Sequence, residues 1–538
     1  MKRILFLILG LLPFLSGLTQ QPVWDDTSRS HWPKGFEVVE IPSTADGTYQ
    51  KAYFHKTTAL KPQPLIVSLH TWSGDYTQED PLAAEIIARG YNYIHPDFRG
   101  ANNKPEATGS LLVISDIEDA IRYAAEHSNT DPENVHIIGV SGGGMAALLA
   151  YVNIEYPVRS FSAWAPISDL EAWYWESVGR GQKYAQDILA SVSADSTFRA
   201  EEARRRSPLF MEVPFGRREG SDLYIYTGIQ DGYTGSVPIT HSLKMFNQVA
   251  RQWKSHSRLP EEPPFVTENE MLELVTRRID PAADPTHKIN GRTVYLQREY
   301  NRIHLTIFEG GHEMLPRALS MIPAENQEMD LKCNIFTIGD SNGRIPGGWV
   351  DQLQTLMPGA NIFNTSQGGR TIGFDNNGRE ELNALRNVDS YLSAASEYIG
   401  NGKYDYIILC LGTNDTKTEF ADRQDEAVAN FEALLDKIRQ SRLARRSRPK
   451  LIFVTPPPMG REDPRVRNTE RNERLGVLVE RISAEAERQG FTVVDVYHPM
   501  LGVFHHYAPD GTHMVPEGQA IIAGKIVECI ERLENKRR

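Results

Sequence analysis

Two serines in this chain stand where a tight turn could present a nucleophile. Ser141 lies in NVHIIGVSGGGMAALLAYV, inside Gly139-Val-Ser-Gly-Gly143, after a strand-type run and before an alanine-rich helical one. Ser341 lies in NIFTIGDSNG, again where a strand-type run ends. A serine hydroxyl attacks an acyl carbon only when a neighbouring base takes its proton and a third group orients that base. For Ser141, partners of the right type follow in the order Asp, His: Asp231 in DLYIYTGIQDGYT and His312 in HLTIFEGGHEML, each just past a later strand-type run. For Ser341 they share one D-x-x-H loop, Asp510 and His513 in APDGTHMVPEGQ. The chemistry is acyl transfer, twice.

A tetrahedral intermediate also needs N–H donors for its oxyanion. The glycines around Ser141 let backbone approach without a Cβ clash, and the Gly142 amide would open the following helix. A second donor is expected from the loop LHTWSGDY, the amide of Trp72. His304 in RIHLTIF reads as a packed strand residue, and His241 as a local hydrogen-bonder. The aromatic run EAWYWE, Trp173 to Trp175, reads either as a sugar-stacking platform or as a lid helix packed on the body.

The first 300 or so residues resemble an α/β-hydrolase, most like the prolyl-oligopeptidase-like branch that includes secreted esterases. The resemblance implies His312 as base and Asp231 as its orienting acid. One departure is His70-Thr71-Trp72, where such enzymes usually carry His-Gly. From Asn334 onward four blocks, NIFTIGDSNG, NTSQGGRTIG, YIILCLGTNDTK and APDGTHMVPEGQ, resemble the signature blocks of SGNH or GDSL hydrolases. That resemblance implies a Ser341, His513, Asp510 triad. Its oxyanion would meet the amide of Ser341, the amide of Gly369 and the side chain of Asn414, each donor typically worth about 3 kcal/mol. Asn342 departs from the apolar residue many members have there, and it is read as shaping the turn without touching the triad.

The elements that must position these residues follow from the patterning. Strand-type runs (PLIVSLH, YNYIHPDF, NVHIIGVS, DLYIYTG, HLTIFEGG, then NIFTIGDS, YDYIILCLG, KLIFVTPPP, FTVVDVYH) alternate with amphipathic segments such as ISDIEDAIRYAAEH. That rhythm predicts parallel sheets covered on both faces: an α/β-hydrolase fold, then a flavodoxin-like three-layer α/β/α fold. The polar stretch from Ser320 to Asn334 puts the break near Asp330, giving domains 20–329 and 330–538. Residues Ser255 to Asn290 are polar and proline-bearing, and read as a surface insertion.

At 538 residues the chain is long enough for two to four domains. A formal charge of −12 and no basic run argue against a nucleic-acid partner. Lys2 and Arg3, an apolar run from Ile4 to Leu15 and the small residues Gly17 and Thr19 read as a signal peptide, 1–19, cut before Gln20. A secreted or periplasmic protein with no membrane anchor is expected. Cys333 and Cys410 would be offset by four residues on neighbouring strands, roughly 13 Å, too far for a disulfide. No metal-ligand spacing, phosphate loop or dinucleotide fingerprint is present in the sequence, so no cofactor is expected. With the two resemblances, these features point to a bifunctional esterase acting on an acylated polysaccharide or oligosaccharide. The runner-up readings are an N-terminal peptidase or feruloyl or methyl esterase, and one domain serving only as a carbohydrate-binding partner.

Overall fold

The computed structural model describes residues 32–257, 260–278, 284, 286–324, 328–460 and 469–536; the expected signal peptide lies outside them. Two sheets organise the chain. The first contains β1 (Glu37–Pro42), β2 (Tyr49–His55), β3 (Gln63–Leu69), β4 (Asn92–Pro96), β5 (Thr130–Val140), β6 (Ser160–Trp164), β7 (Asp222–Gly228), β8 (Lys288–Ile289), β9 (Arg292–Tyr300) and β10 (Ile303–Phe308), in the order β1-β2-β4-β3-β5-β6-β7-β10-β9-β8. The run β4-β3-β5-β6-β7-β10 is parallel, while β1 and β2 at one edge and β9 and β8 at the other pair antiparallel. This sheet is therefore mixed, not wholly parallel as the rhythm predicted. The second is all parallel: β11 (Asn334–Gly339), β12 (Asn361–Asn364), β13 (Tyr406–Cys410), β14 (Lys450–Val454) and β15 (Thr492–Val494), in the order β12-β11-β13-β14-β15.

Alternation along the central strands sends apolar side chains to both faces. In β3 and β5, Leu65, Val67, Val135 and Ile137 join one core cluster and Ile66, Ile138 and Val140 another. In the second sheet Ile335, Ile408 and Ile452 pack on one face, and Phe336, Leu409 and Phe453 on the other. Both halves are thus three layers deep. In the 255–290 stretch, a helix forms at Glu268–Arg277, started by a reciprocal capping box between Thr267 and Glu270. Val266 and Leu274 are buried in the core, so this part is not a mere surface loop.

All three cysteines are free. Cys410 stands opposite Gly339 in the β11–β13 register, which puts Cys333 six residues away rather than four. The two sheets meet through the helix Leu82–Arg89, whose Ala88 is part of the second domain's core. Lys61 also pairs with Glu531 across this junction at 2.7 Å.

The helix Gly142–Asn153, which follows Ser141, is buried on all sides, so its last carbonyls need partners from the protein. A buried arginine supplies them. Arg218 donates from Nε to the Tyr151 carbonyl at 2.5 Å and from Nη2 to those of Ile154 at 2.7 Å and Ala150 at 3.3 Å. Burial holds its pKa down to about 10, which still leaves it charged at neutral pH. Arg218→Met should strand these carbonyls and cost about 2–4 kcal/mol in denaturant unfolding, well beyond the effect of a surface arginine change.

Candidate active sites

At the first site, β5 ends in a turn that forces Ser141 into φ 59°, ψ −119°, a backbone region costly for any residue with a Cβ. The surroundings show why the turn cannot relax. A Cβ on Gly143 would lie 2.1 Å from the Leu69 carbonyl oxygen, and one on Gly139 would lie 2.4 Å from Gly143 backbone. A Cβ on Gly142 would lie 2.4 Å from the Trp72 nitrogen, so these two peptide segments abut beside the serine. Gly142 is also the first residue of its helix, where amides have no intrahelical partner. The Trp72 peptide is fixed from behind: its carbonyl accepts from the Asn102 amide at 2.8 Å, and the Thr71 amide donates to Gln78 Oε1 at 2.8 Å. At the departure from His-Gly, His70 stacks on Phe98 with ring centres 3.8 Å apart.

Asp231 and His312 follow β7 and β10, at the same carboxyl edge of the sheet as Ser141. The buried Asp231 places Oδ2 2.8 Å from His312 Nδ1, while its Oδ1 accepts from the amides of Gly232 at 2.9 Å and Val237 at 3.1 Å. A Cβ on Gly235 would fall 2.6 Å from His312 Cβ and 2.3 Å from Asp231 Oδ1, so only glycine lets this loop close over the pair.

In the EAWYWE run the packed-helix reading has contacts behind it. Trp173 is fully buried, edge-to-face with Trp72 at 4.7 Å, and donates from its indole to the Ser236 carbonyl at 2.9 Å. Trp175 is 58% exposed and packs edge-on against Tyr174 and Phe198. Arg180 reaches the carbonyls of Gly235 and Ser236, and Lys183 reaches Ser73 Oγ. The helix Leu170–Gly179 is therefore latched over both the Asp231 loop and the Trp72 loop. His241 bonds Glu176 at 3.1 Å and accepts from the Ser168 amide at 3.2 Å, and His304 stacks on Tyr224, so neither stands in the triad.

At the second site the whole chain of hydrogen bonds is in place. Ser341 Oγ lies 2.9 Å from His513 Nε2, and His513 Nδ1 lies 2.6 Å from Asp510 Oδ2. Asp510 Oδ1 accepts from the amides of Thr512 at 2.8 Å and His513 at 2.7 Å. Partial burial opposes its ionisation, but the bonds from His513 and Thr512 outweigh that and draw its pKa below the ordinary carboxylate value. The strand order puts Ser341 at the end of β11, between β12 and β13, where strand order reverses and ligands bind in such sheets. Gly369 adopts φ +79° and its carbonyl accepts from Asn376 Nδ2 at 2.5 Å. Asn414 Nδ2 donates to the Arg370 carbonyl at 3.0 Å, which brings the second and third blocks together. Arg370 itself is buried, bonded to the carbonyls of Thr365 and Gly339 and held 4.3 Å over the Tyr391 ring.

Asn342 touches no triad side chain, and its bonds extend beyond its own turn. It is fully buried, donates to the Thr512 carbonyl at 3.2 Å, and accepts from Gln519 Nε2 at 2.6 Å and from the Met514 amide at 3.4 Å. The residue after the serine thus tethers the loop that carries Asp510 and His513, which an apolar side chain could not do. Sequence reasoning also passed over Asp415. It is fully buried and accepts from the Ile372 amide with both oxygens, at 2.9 and 3.0 Å. Burial, with Asp340 nearby, pushes its pKa up to about 8.

Two outcomes are expected. Asn342→Ala should leave Thr512, Met514 and Gln519 with unmet polar groups and cost about 2–3 kcal/mol in denaturant unfolding of the second domain. Asp415 holds its proton in the folded state to higher pH than in the unfolded chain. The stability this supplies is complete below a pH of about 4 and lost as pH rises through about 8. Asp415→Asn, locked neutral, should flatten that part of a stability–pH profile measured by denaturant titration.

Comparisons with known proteins match two separate parts of the chain. Residues 80–259 match the prolyl oligopeptidase family and residues 336–521 the GDSL-like lipase/acylhydrolase family. The protein YfhR of Salmonella typhi, and that of Salmonella typhimurium strain LT2, are each 24% identical over 151 residues, 27% of this chain. The chain spans about half the length of these relatives, 52%. Among solved structures, Est24, a carbohydrate acetylesterase from Sinorhizobium meliloti, is 21% identical, with 38% of this chain and 100% of that one covered at a TM-score of 0.32. An acylaminoacyl peptidase from Pyrococcus horikoshii is 17% identical, with 41% and 36% covered at a TM-score of 0.34. The chain joins an N-terminal α/β-hydrolase domain, similar to the prolyl oligopeptidase family, to a C-terminal SGNH/GDSL hydrolase domain.

Proposed function

We propose that this two-domain hydrolase is an exported, bifunctional carbohydrate esterase that removes acyl groups, acetyl first among them, from polysaccharides or oligosaccharides. The observation that carries the reading is the unbroken Ser341–His513–Asp510 chain at 2.9 and 2.6 Å, on a loop that stays open to solvent. His513 and Asp510 side chains are 42% and 48% exposed, a rim that admits a bulky sugar polymer. In this reading His513 takes the Ser341 proton as the hydroxyl attacks the ester carbonyl, and then gives it to the departing sugar hydroxyl. Water, activated by the same imidazole, releases the acid. The amides of Ser341 and Gly369 and the Asn414 side chain receive the oxyanion.

Ser141, His312 and Asp231 carry out the same steps at the first site, with the amides of Gly142 and Trp72 as oxyanion donors. Two unrelated sites on one chain fit two different ester linkages on one decorated substrate. The apolar run after Lys2 and Arg3 supports export, and no helix among the described residues is long and apolar enough to cross a membrane. The family match over residues 80–259 favours one further reading, a peptidase at Ser141.

The deciding assay follows acid release from acetylated xylan, pectin and feruloylated oligosaccharides, and cleavage of aminoacyl anilides. It uses the parent, Ser141→Ala, Ser341→Ala and the double variant. Each single variant should lose a different ester activity by at least a thousandfold, and the double variant should lose all of them. Anilide cleavage lost with Ser141→Ala, without any ester loss, would instead assign a peptidase to the first domain.

A further inference from the structure

The loop from Ala508 to Met514, which carries Asp510 and His513, is held at two ends. Its tip is tied to the nucleophile turn by Asn342, through the Thr512 carbonyl and the Met514 amide. Its base is closed by Tyr507, whose carbonyl accepts from the Val515 amide at 2.8 Å. The Tyr507 ring is packed against Gly518 so tightly that a Cβ there would lie 2.7 Å from Tyr507 Cβ. Tyr507 is fully buried, and its hydroxyl leaves the second domain altogether. It donates to Glu85 Oε1 and accepts from Arg89 Nη2 at 2.9 Å, both on the helix Leu82–Arg89 of the first domain.

That pair is itself pre-set. Arg89 Nε bonds the same Glu85 oxygen at 2.8 Å, one helical turn away, and Arg89 Nη2 donates to Ser320 Oγ at 2.5 Å. Arg89 and Glu85 side chains are only 10% and 4% exposed, so charge-assisted bonds here are little weakened by water. A second tie lies just past the loop, where Arg317 of the first domain stands 3.9 Å from Glu517.

We propose that the first domain completes the second domain's active site: Glu85 and Arg89, by gripping the Tyr507 hydroxyl, fix the base of the loop that aims His513 at Ser341. This rests on the reading of Ser341 as a nucleophile. Tyr507 is three residues from Asp510, and a small drift at the loop base is carried to an imidazole that must stay within hydrogen-bond reach of the hydroxyl. Loose positioning of that kind lowers rate more than substrate binding. Tyr507, Glu85 and Arg89 are positioning residues, since none of them bonds a triad side chain.

The test uses the full chain in a Ser141→Ala background and reads the rate of Ser341 phosphonylation by a fluorophosphonate, with kcat and KM on p-nitrophenyl acetate. Tyr507→Phe, which keeps the ring and removes only the hydroxyl, should slow labelling and lower kcat about tenfold with KM unchanged. Glu85→Ala should do the same, and Glu85→Gln, which keeps an acceptor for the hydroxyl, should recover most of the loss. Parent-like labelling in both Tyr507→Phe and Glu85→Ala would overturn the proposal, as would a KM rise with kcat intact. Labelling that survives Ser341→Ala in this background would instead refute Ser341 as the nucleophile.

Discussion

Both candidate sites depend on one steric constraint: a neighbouring segment, backbone at the first site and the Ser366 side chain at the second, packs so close behind each serine that the flanking glycines have no room for a Cβ. At the first site the missing Cβ of Gly143 would sit 2.1 Å from the Leu69 carbonyl, so β3 and the start of the serine helix are nearly in contact. At the second, Cβ atoms on Gly339 and Gly343 would lie 2.7 and 2.6 Å from Ser366 Oγ. This closeness fixes the serine and the neighbouring amides as one rigid unit. An oxyanion hole works only if its donors are already in place when charge develops. The glycines make the serine turn possible, and the sheets bring the acid and base to it.

The two halves meet that constraint differently. In the first, acid and base arrive on separate strands, so the loops after β7 and β10 must be clamped to each other. Gly235, Arg180 and Trp173 do this from the lid side. In the second, acid and base share one short loop, and the burden moves to anchoring that loop, at its tip by Asn342 and at its base by Tyr507. The helix Leu82–Arg89 links the two halves. Its N-terminal end follows the Trp72 loop, and its C-terminal end grips the second domain.

What could be read from the sequence was what local pattern encodes. The strands that end at both serines, at Asp231 and at His312 are apolar runs bounded by turn residues, and the Asp510–His513 loop is a local D-x-x-H pattern; each was legible. β6, SFSAW, is five residues with no turn chemistry of its own, and β12, NIFN, is half polar; neither announces itself. The antiparallel edges escaped because alternation does not report strand direction. The helix at Glu268–Arg277 had a legible signal, the Thr267 and Glu270 capping box, which the surrounding prolines obscured. Contacts such as Tyr507 with Glu85 join residues 422 positions apart and leave no local trace. Asn342 left a trace, a polar residue where an apolar one is usual, whose meaning needed the partner loop to be seen.

The central claim is that two independent nucleophiles operate on one chain. Intact-mass measurement of the native protein after saturating fluorophosphonate treatment, with peptide mapping of the adducts, tests it most directly. The account predicts two adducts per chain, on Ser141 and Ser341, and none on protein unfolded before treatment. A single adduct, or adducts on any other residues, would contradict it.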